Sequence, residues 1–530
     1  MSAQRRFIRK IAYLLAIGVL LLPLSLLSQP GTLRDGDTQI GALARLRSEH
    51  RMTQANLGNI DPTSATMRFA TFGLHGVAAS RLWIQAIDAK NREDWTRFDA
   101  KLDQIANFQP NFVKVWSFQA WNVSYNLSVR FDDYHDRYEY VTRGMRFLER
   151  GIGHNDRETS LPWDLGMFIG SKIGRSDERR AFRRLFREDD YYHDPPRDED
   201  WLVGTAYEGV RRVDLRDNWQ LSNWWYERLA ERKDAGEVEQ PSRVDALFYR
   251  EAPHALIEYA EALTEEGVFG PQAQRAWLRA AESWRRYGDR EMRMQRGYRL
   301  RMLDYDVYRR RAVQLLAQLD RLEPSWRDRL LGELEQAAAE EQLSLIDKAW
   351  DECTADEKDA KYNFLIRLWA EPRALARELD PPNRAEALRL VDRLELATDR
   401  VTIVKNAREL VSYESWRARC EIERKAETIA ARQAIYEGEQ AFAAAKLGEA
   451  LKRYNDGIAR WKQIFDANPL LIDDFLITDE LYRMIDDYRE VLRQNDQELP
   501  DPFPLQIILD EFEAEVEQEG EEDGAESDPT

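Results

Sequence analysis

The sequence predicts an all-α protein: one N-terminal membrane helix, a long array of stacked helix pairs behind it, and a disordered acidic tail. Three observations carry this. Apolar residues recur at three and four almost throughout, as amphipathic helices require, and no run alternates long enough for a convincing sheet. One-third of the 530 residues are charged, yet the chain holds 16 Trp, 21 Tyr and 20 Phe, the composition of charged helices with aromatic seams. Its net charge of −19 is uneven, for eleven acids and no Lys or Arg lie between Asp510 and Thr530.

Residues 1–10, MSAQRRFIRK, carry Arg5, Arg6, Arg9 and Lys10, and the chain is then uncharged from Ile11 until Arg34. A spanning helix needs about 20 mainly apolar residues. Residues 11–30 are therefore read as a signal anchor, with the four preceding cations holding the N-terminus in the cytoplasm. Leu26 stands where cleavage after Ser28 would want a small residue, which favours an uncleaved anchor over a signal peptide. The body is placed outside the cytoplasmic membrane by either reading.

A polar linker, 31–66, leads into an expected helical-repeat region, 67–290. In NFVKVWSFQAWNVSYNLSV, residues Phe112, Trp116, Ala120, Val123 and Leu127 fall on one continuous helical stripe. Later, HALIEYAEALTEEGVFGPQAQRAWLRAAESW sets Ala260, Leu263 and Gly267 in a first helix and its turn, then Ala273, Trp277 and Ala280 in a second. AIYEGEQAFAAAKLGEALKRYNDGIARWKQIFDANP repeats the scheme with Gly438, Ala450, Tyr454 and Gly457. Small residues where two helices cross and aromatics in the gaps suit a tetratricopeptide-like solenoid.

Residues 291–430 form charged amphipathic helices broken at Glu323-Pro324, Glu371-Pro372 and Pro381-Pro382, either degenerate repeats or a helical insert. A helix pair and cap, 431–509, follow, with LQIILDEF closing the last core. The segment 510–530 is a like-charge run expected to stay solvated.

Between Gly73 and Gly174 the chain resembles a family of bacterial membrane-anchored proteins with tetratricopeptide-like repeats, some named iron responsive element (IRE) proteins. The resemblance lies in RLWIQAIDAKNREDWTRFDAKLDQIANFQPNFVKVWSFQAWNVSYNLSV, RGMRFLERGIGHND and LGMFIGSKIG. It rests on Trp83, Leu102, Ile105, Pro110, Phe112, Trp116, Trp121, Asn122, Tyr125 and Asn126. It implies an anchored helical-repeat protein and no particular activity.

Two site candidates follow from residue types. In AWNVSYN, Asn122 and Asn126 lie one helical turn apart beside Trp121 and Tyr125, so the amides either tie down neighbouring helix ends or, with Trp116, line a ligand groove. The chain has six histidines, and DDYHD and DDYYHD place two of them in acidic nests. His135 with Asp132 and Asp136, His154, and His193 with Asp194 are a candidate set for a divalent metal, provided two clusters converge. The same acids also suit helix N-termini. Trp219, Trp224 and Trp225 in DNWQLSNWWYERL are expected in a core rather than on a stacking surface.

No GxSxG, Gly-rich phosphate loop or HExxH is present, so neither catalysis nor a cofactor is expected. No basic stripe offers itself to nucleic acid. Cys353 and Cys420 are too few for a zinc motif and are read as independent buried thiols, the alternative being that they pair in a body outside the cytoplasm. The function expected is a membrane-anchored, non-catalytic scaffold for protein or peptide partners; the alternative is a metal-binding protein centred on the His and Asp clusters.

Overall fold

The structure, a computed structural model, describes residues 75–108, 110–193, 216–241, 243–333, 340–473 and 475–510, with the single positions 13, 19 and 512. Apart from positions 13 and 19 the anchor lies outside these residues, as do the linker and the acidic tail beyond 512. Among the described residues no helix is long and apolar enough to cross a membrane. The chain divides into two compact units, Met1–Pro241 and Ser242–Thr530.

The first unit is entirely helical where described. Its elements are α1 (His75–Asn91), α2 (Trp95–Phe108), α3 (Val113–Trp121), α4 (Tyr134–His154), α5 (Ser160–Met167), α6 (Arg179–Glu188), α7 (Asp190–His193) and α8 (Asn218–Asp234). Helices α1 and α2 pair, as do α3 and α4, while α8 packs on α5. The predicted stripe of α3 turns inward at Trp116, Ala120, Val123 and Leu127, which join Leu102, Ile105, Met145 and Leu148 in burial. Phe112, expected on that stripe, instead sits just before the helix and is exposed.

Two helices change pitch. After Trp121 the chain widens into a π-helical turn, Asn122–Leu127, and after Met167 into a second, Phe168–Lys172. Such turns are rare, and they often mark functional sites. The first is tied to α4, where Ser124 donates its hydroxyl to the Val141 carbonyl at 3.0 Å. Gly166, Gly170 and Gly174 present bare backbone to α8, and a Cβ on Gly174 would lie 2.5 Å from the Trp219 indole. Trp219, against this seam, and Trp225 are buried, while Trp224, also expected in the core, is only partly buried.

In the second unit, α9 (Asp245–Glu265) and α10 (Pro271–Asp289) form a hairpin, and so do α18 (Ala426–Ala443) and α19 (Leu447–Ala467). Ala260, Ala273, Trp277, Ala280, Ala450 and Tyr454 are buried at these crossings, as their spacing predicts. Gly267, at φ +79°, begins the first hairpin's turn in a conformation that side chains rarely adopt. A Cβ there would also meet the Tyr436 hydroxyl at 2.6 Å, so the same residue lets the hairpins touch.

Between the hairpins the chain makes a helical excursion. A two-residue antiparallel ribbon, β1 (Met292–Arg293) with β2 (Arg299–Leu300), pairs Met292 with Leu300. It is the incidental strand pair the sequence allows. There follow α11 (Tyr305–Leu322), α12 (Ser325–Glu333), α13 (Glu340–Leu345), α14 (Ala355–Leu368), α15 (Pro372–Glu378) and the 30-residue α16 (Pro381–Leu410). Prolines open α15 and α16 at the breaks foreseen, because a missing N–H costs nothing at a helix start.

Helix α16 pairs with α11 and not with the next helix, and Leu315, Leu319, Leu365 and Val391 give the excursion its own core. Residues 291–430 thus include a group of helices with a shared core. From it α17 (Tyr413–Glu423) returns to α10, where Trp284 donates to the Tyr413 carbonyl at 3.0 Å. Helix α20 (Phe475–Gln494) covers the second hairpin, and Leu505, Ile508 and Leu509 complete that core, as LQIILDEF suggests. Cys353 and Cys420 are buried and unpaired.

Candidate functional site

The five predicted groove residues separate into a buried pair and an exposed ledge. Trp116 is 2% exposed. Its indole N–H donates to the Pro110 carbonyl at 2.8 Å, its ring packs on Phe147 at 4.7 Å, and Gly151 leaves it room. It is core, and lines no groove. Asn122 is fully buried as well, while Trp121 is 45% exposed and Tyr125 and Asn126 are partly so.

The π turn brings these last residues together. Trp121 stacks on Tyr125 with centroids 6.1 Å apart and planes 17° from parallel. Tyr125 sets its ring edgewise to Phe168 of the second π turn at 5.2 Å, and Lys172 places its ammonium 4.7 Å from the Tyr125 centroid. Burial holds the Lys172 ammonium below its ordinary range and pushes the Tyr125 phenol up. Below them Asn126 donates to the Asn122 side-chain oxygen at 3.1 Å, leaving the Asn122 NH2 buried without an acceptor.

A desolvated cation, a stacked aromatic pair and an unmet donor thus share one patch. An incoming planar or carboxylate-bearing group would regain for Lys172 some of the solvation lost by burial. Lys172 and Phe168 escape a reading by composition, because they stand in the small, apolar run LGMFIGSKIG. A lone Lys inside that run is the signal that could have found them.

The histidines do not converge. His135 and His154 occupy opposite ends of α4, and nineteen residues of helix separate them by about 28 Å. His135 is exposed, with its Nδ1 2.9 Å from Asp133. Asp132 precedes the helix and so shares no helical face with His135, while Asp136 lies in the first turn. Asp133, instead, caps α4 by accepting the His135 backbone N–H at 2.7 Å.

Asp189 does the same for the Tyr191 N–H at 3.0 Å and also accepts from the Tyr138 hydroxyl at 2.9 Å. Both acidic nests therefore satisfy backbone donors at helix starts. His193 closes the short α7, and its side chain and Asp194 lie outside the described residues. Among the described residues no group of three His, Cys, Asp or Glu could hold a metal ion.

His154 packs against Trp116, centroids 5.8 Å apart and planes 26° from parallel. Burial first, and then the Arg150 guanidinium, hold its imidazole below the usual 6.5. As pH falls below about 6.5 the unfolded chain takes up this proton before the folded one, so stability present above that pH is lost toward the lower folded value. Urea unfolding of His154→Phe between pH 7.5 and 5.5 is expected to show a flatter loss than wild type. Equal slopes would remove His154 from the acid response.

No family model matches the chain, and no curated protein and no solved structure matches it.

Proposed function

We propose that the chain is a membrane-anchored, extracytoplasmic scaffold that holds peptide or protein partners without catalysing a reaction. Its central observation is the ledge: an exposed Trp121 stacked on Tyr125, beside a partly desolvated Lys172 and above an unmet amide donor. Trp and Tyr supply large contact area while ordering few torsions, which is why they anchor interfaces. A peptide with one aromatic or carboxylate side chain fits this set.

Three further features support the wider reading. The cations before the apolar stretch 11–27 suit an anchor with the body outside. Small residues at the α9/α10 and α18/α19 crossings suit tetratricopeptide-like stacking, which offers partners an extended surface. The resemblance around AWNVSYN to the anchored IRE-named proteins suits both.

Panning a displayed peptide library against the full-length protein is the direct test. Selected peptides are expected to bind at roughly micromolar Kd and to weaken about tenfold in Trp121→Ala and in Lys172→Met. Leu278→Ser, an exposed change in the second unit, should leave binding alone. If no selected peptide depended on Trp121, the ledge would not be the recognition site.

A further inference from the structure

Helices α11 and α16 leave an open cavity of about 450 Å³ between them, within the size range of ligand sites. Its wall carries Arg310, Arg311, Arg393 and Arg400 and no carboxylate. Val307 and Leu396 add exposed apolar surface at 59% and 41%.

The nearby acids are engaged elsewhere. Asp392 and Glu395 are bound by Arg373, Asp399 by Arg296, Asp306 by Arg309, and Asp351 pairs with Arg310. Arg311 and Arg393 have no carboxylate partner among the described residues. Arg400 lies against Tyr298 and Tyr308, at 5.9 and 5.4 Å from their centroids, and its buried Nε–H has no acceptor. Concentrated positive charge with apolar walls calls for a carboxylate-rich peptide.

A matching segment belongs to the chain itself. Residues 513–530, EAEVEQEGEEDGAESDPT, hold nine acids, no Lys or Arg, and Val516 as an apolar contact. The segment departs from a fixed point in the same unit, because Phe512 lies flat on Tyr482 of α20 with centroids 3.9 Å apart. Eighteen residues reach up to about 60 Å, against a radius of gyration of roughly 20 Å for a compact unit of this size.

We propose that the groove between α11 and α16 binds this acidic segment in cis. Tethering supplies an effective concentration of about a millimolar, so weak arginine–carboxylate contacts suffice for occupancy. The bound segment would exclude other acidic ligands at low salt and release the groove as screening rises.

The test adds a fluorescent peptide of residues 513–530 to three full-length proteins and reads anisotropy. The first is wild type. The second carries Glu→Gln at 515, 517, 519, 521 and 522, and the third adds Arg311→Glu and Arg393→Glu to those changes. The peptide is expected to bind the second protein about tenfold more tightly than wild type, and to lose that gain in the third.

Both arginines are exposed, so the third protein should melt with the second. If it melts earlier, Arg311→Gln with Arg393→Gln is read in its place. Equal binding to wild type and the neutralised protein would overturn the proposal, as would indifference to both arginine changes. A wild-type mass in light scattering that rises with concentration, and ceases to rise on neutralisation, would move the segment to a second copy and overturn the cis assignment. Competition by single-stranded DNA as strong as by unlabelled peptide would assign the groove to nucleic acid instead.

Discussion

Replacing Arg432 with alanine is expected to remove about 3–5 kcal/mol from the stability of the second unit, the usual cost of stranding one partner of a buried ion pair. Arg432, on α18, donates to both oxygens of Glu423 on α17 and to Glu480 on α20. Glu423 is fully buried and the Arg432 side chain only 10% exposed. Arg419 on α17 extends the network to Glu261 on α9, 3.0 Å away.

Burial pushes the Glu261 carboxyl up, with Arg419 acting against it. Glu480 is held low, because Arg432 first, then Arg419 and Arg483, outweigh its desolvation. Alanine at 432 would leave the Glu423 carboxylate buried without the guanidinium that hydrogen-bonds it, with Arg419 as the remaining cation nearby. Changing both members to Arg432→Met and Glu423→Gln removes the stranded charge, so this variant should lie closer to wild type. Native-state hydrogen exchange of the α18 amides isolates this unit's opening, and a loss below about 1 kcal/mol in Arg432→Ala would show that the network is solvated.

Trp116→Ala is expected to cost about 3–5 kcal/mol in the first unit, the range for deleting a large buried aromatic. The cavity would open between α3 and α4, where Phe147 and His154 pack on the indole and Gly151 approaches it. The Pro110 carbonyl would lose one of two donors, keeping Asn155 at 2.9 Å. Trp121→Ala, one turn and a residue away, should change stability by less than about 1 kcal/mol and show its effect in peptide binding. Urea unfolding followed by far-UV circular dichroism separates the two. Comparable losses in both variants would make the ledge part of the core.

Much of the helical organisation is readable from periodicity. The crossings at Ala260, Ala280 and Ala450 bury as their spacing demands, since a helix face that repeats every 3.6 residues must find a partner. Proline positions mark the starts of α15 and α16. The helices between the two hairpins are less readable, because nothing local tells α16 to pair with α11 across the intervening helices. That choice depends on which apolar faces remain uncovered once shorter-range pairs have formed.

For the ledge, residue types indicate the neighbourhood and miss the geometry. Trp116 and Trp121 are five residues apart and look alike in sequence, yet one is core and the other exposed. The π turn after Trp121 rotates the following residues away from a regular helical register, and no side-chain pattern announces it. Lys172 comes from a second π turn, a long-range partner that residue spacing cannot supply.

The sequence by itself determined that this is a helical protein with aromatic seams, an acidic segment and helix-capping acids, because these follow from local spacing and charge. Only the tertiary structure decided which tryptophan is buried, that His135 and His154 stand at opposite ends of one helix, and that four arginines share a wall without a carboxylate. Those outcomes depend on which helices meet, and helix pairing is settled by the burial of whole faces, not by the residues at any one position.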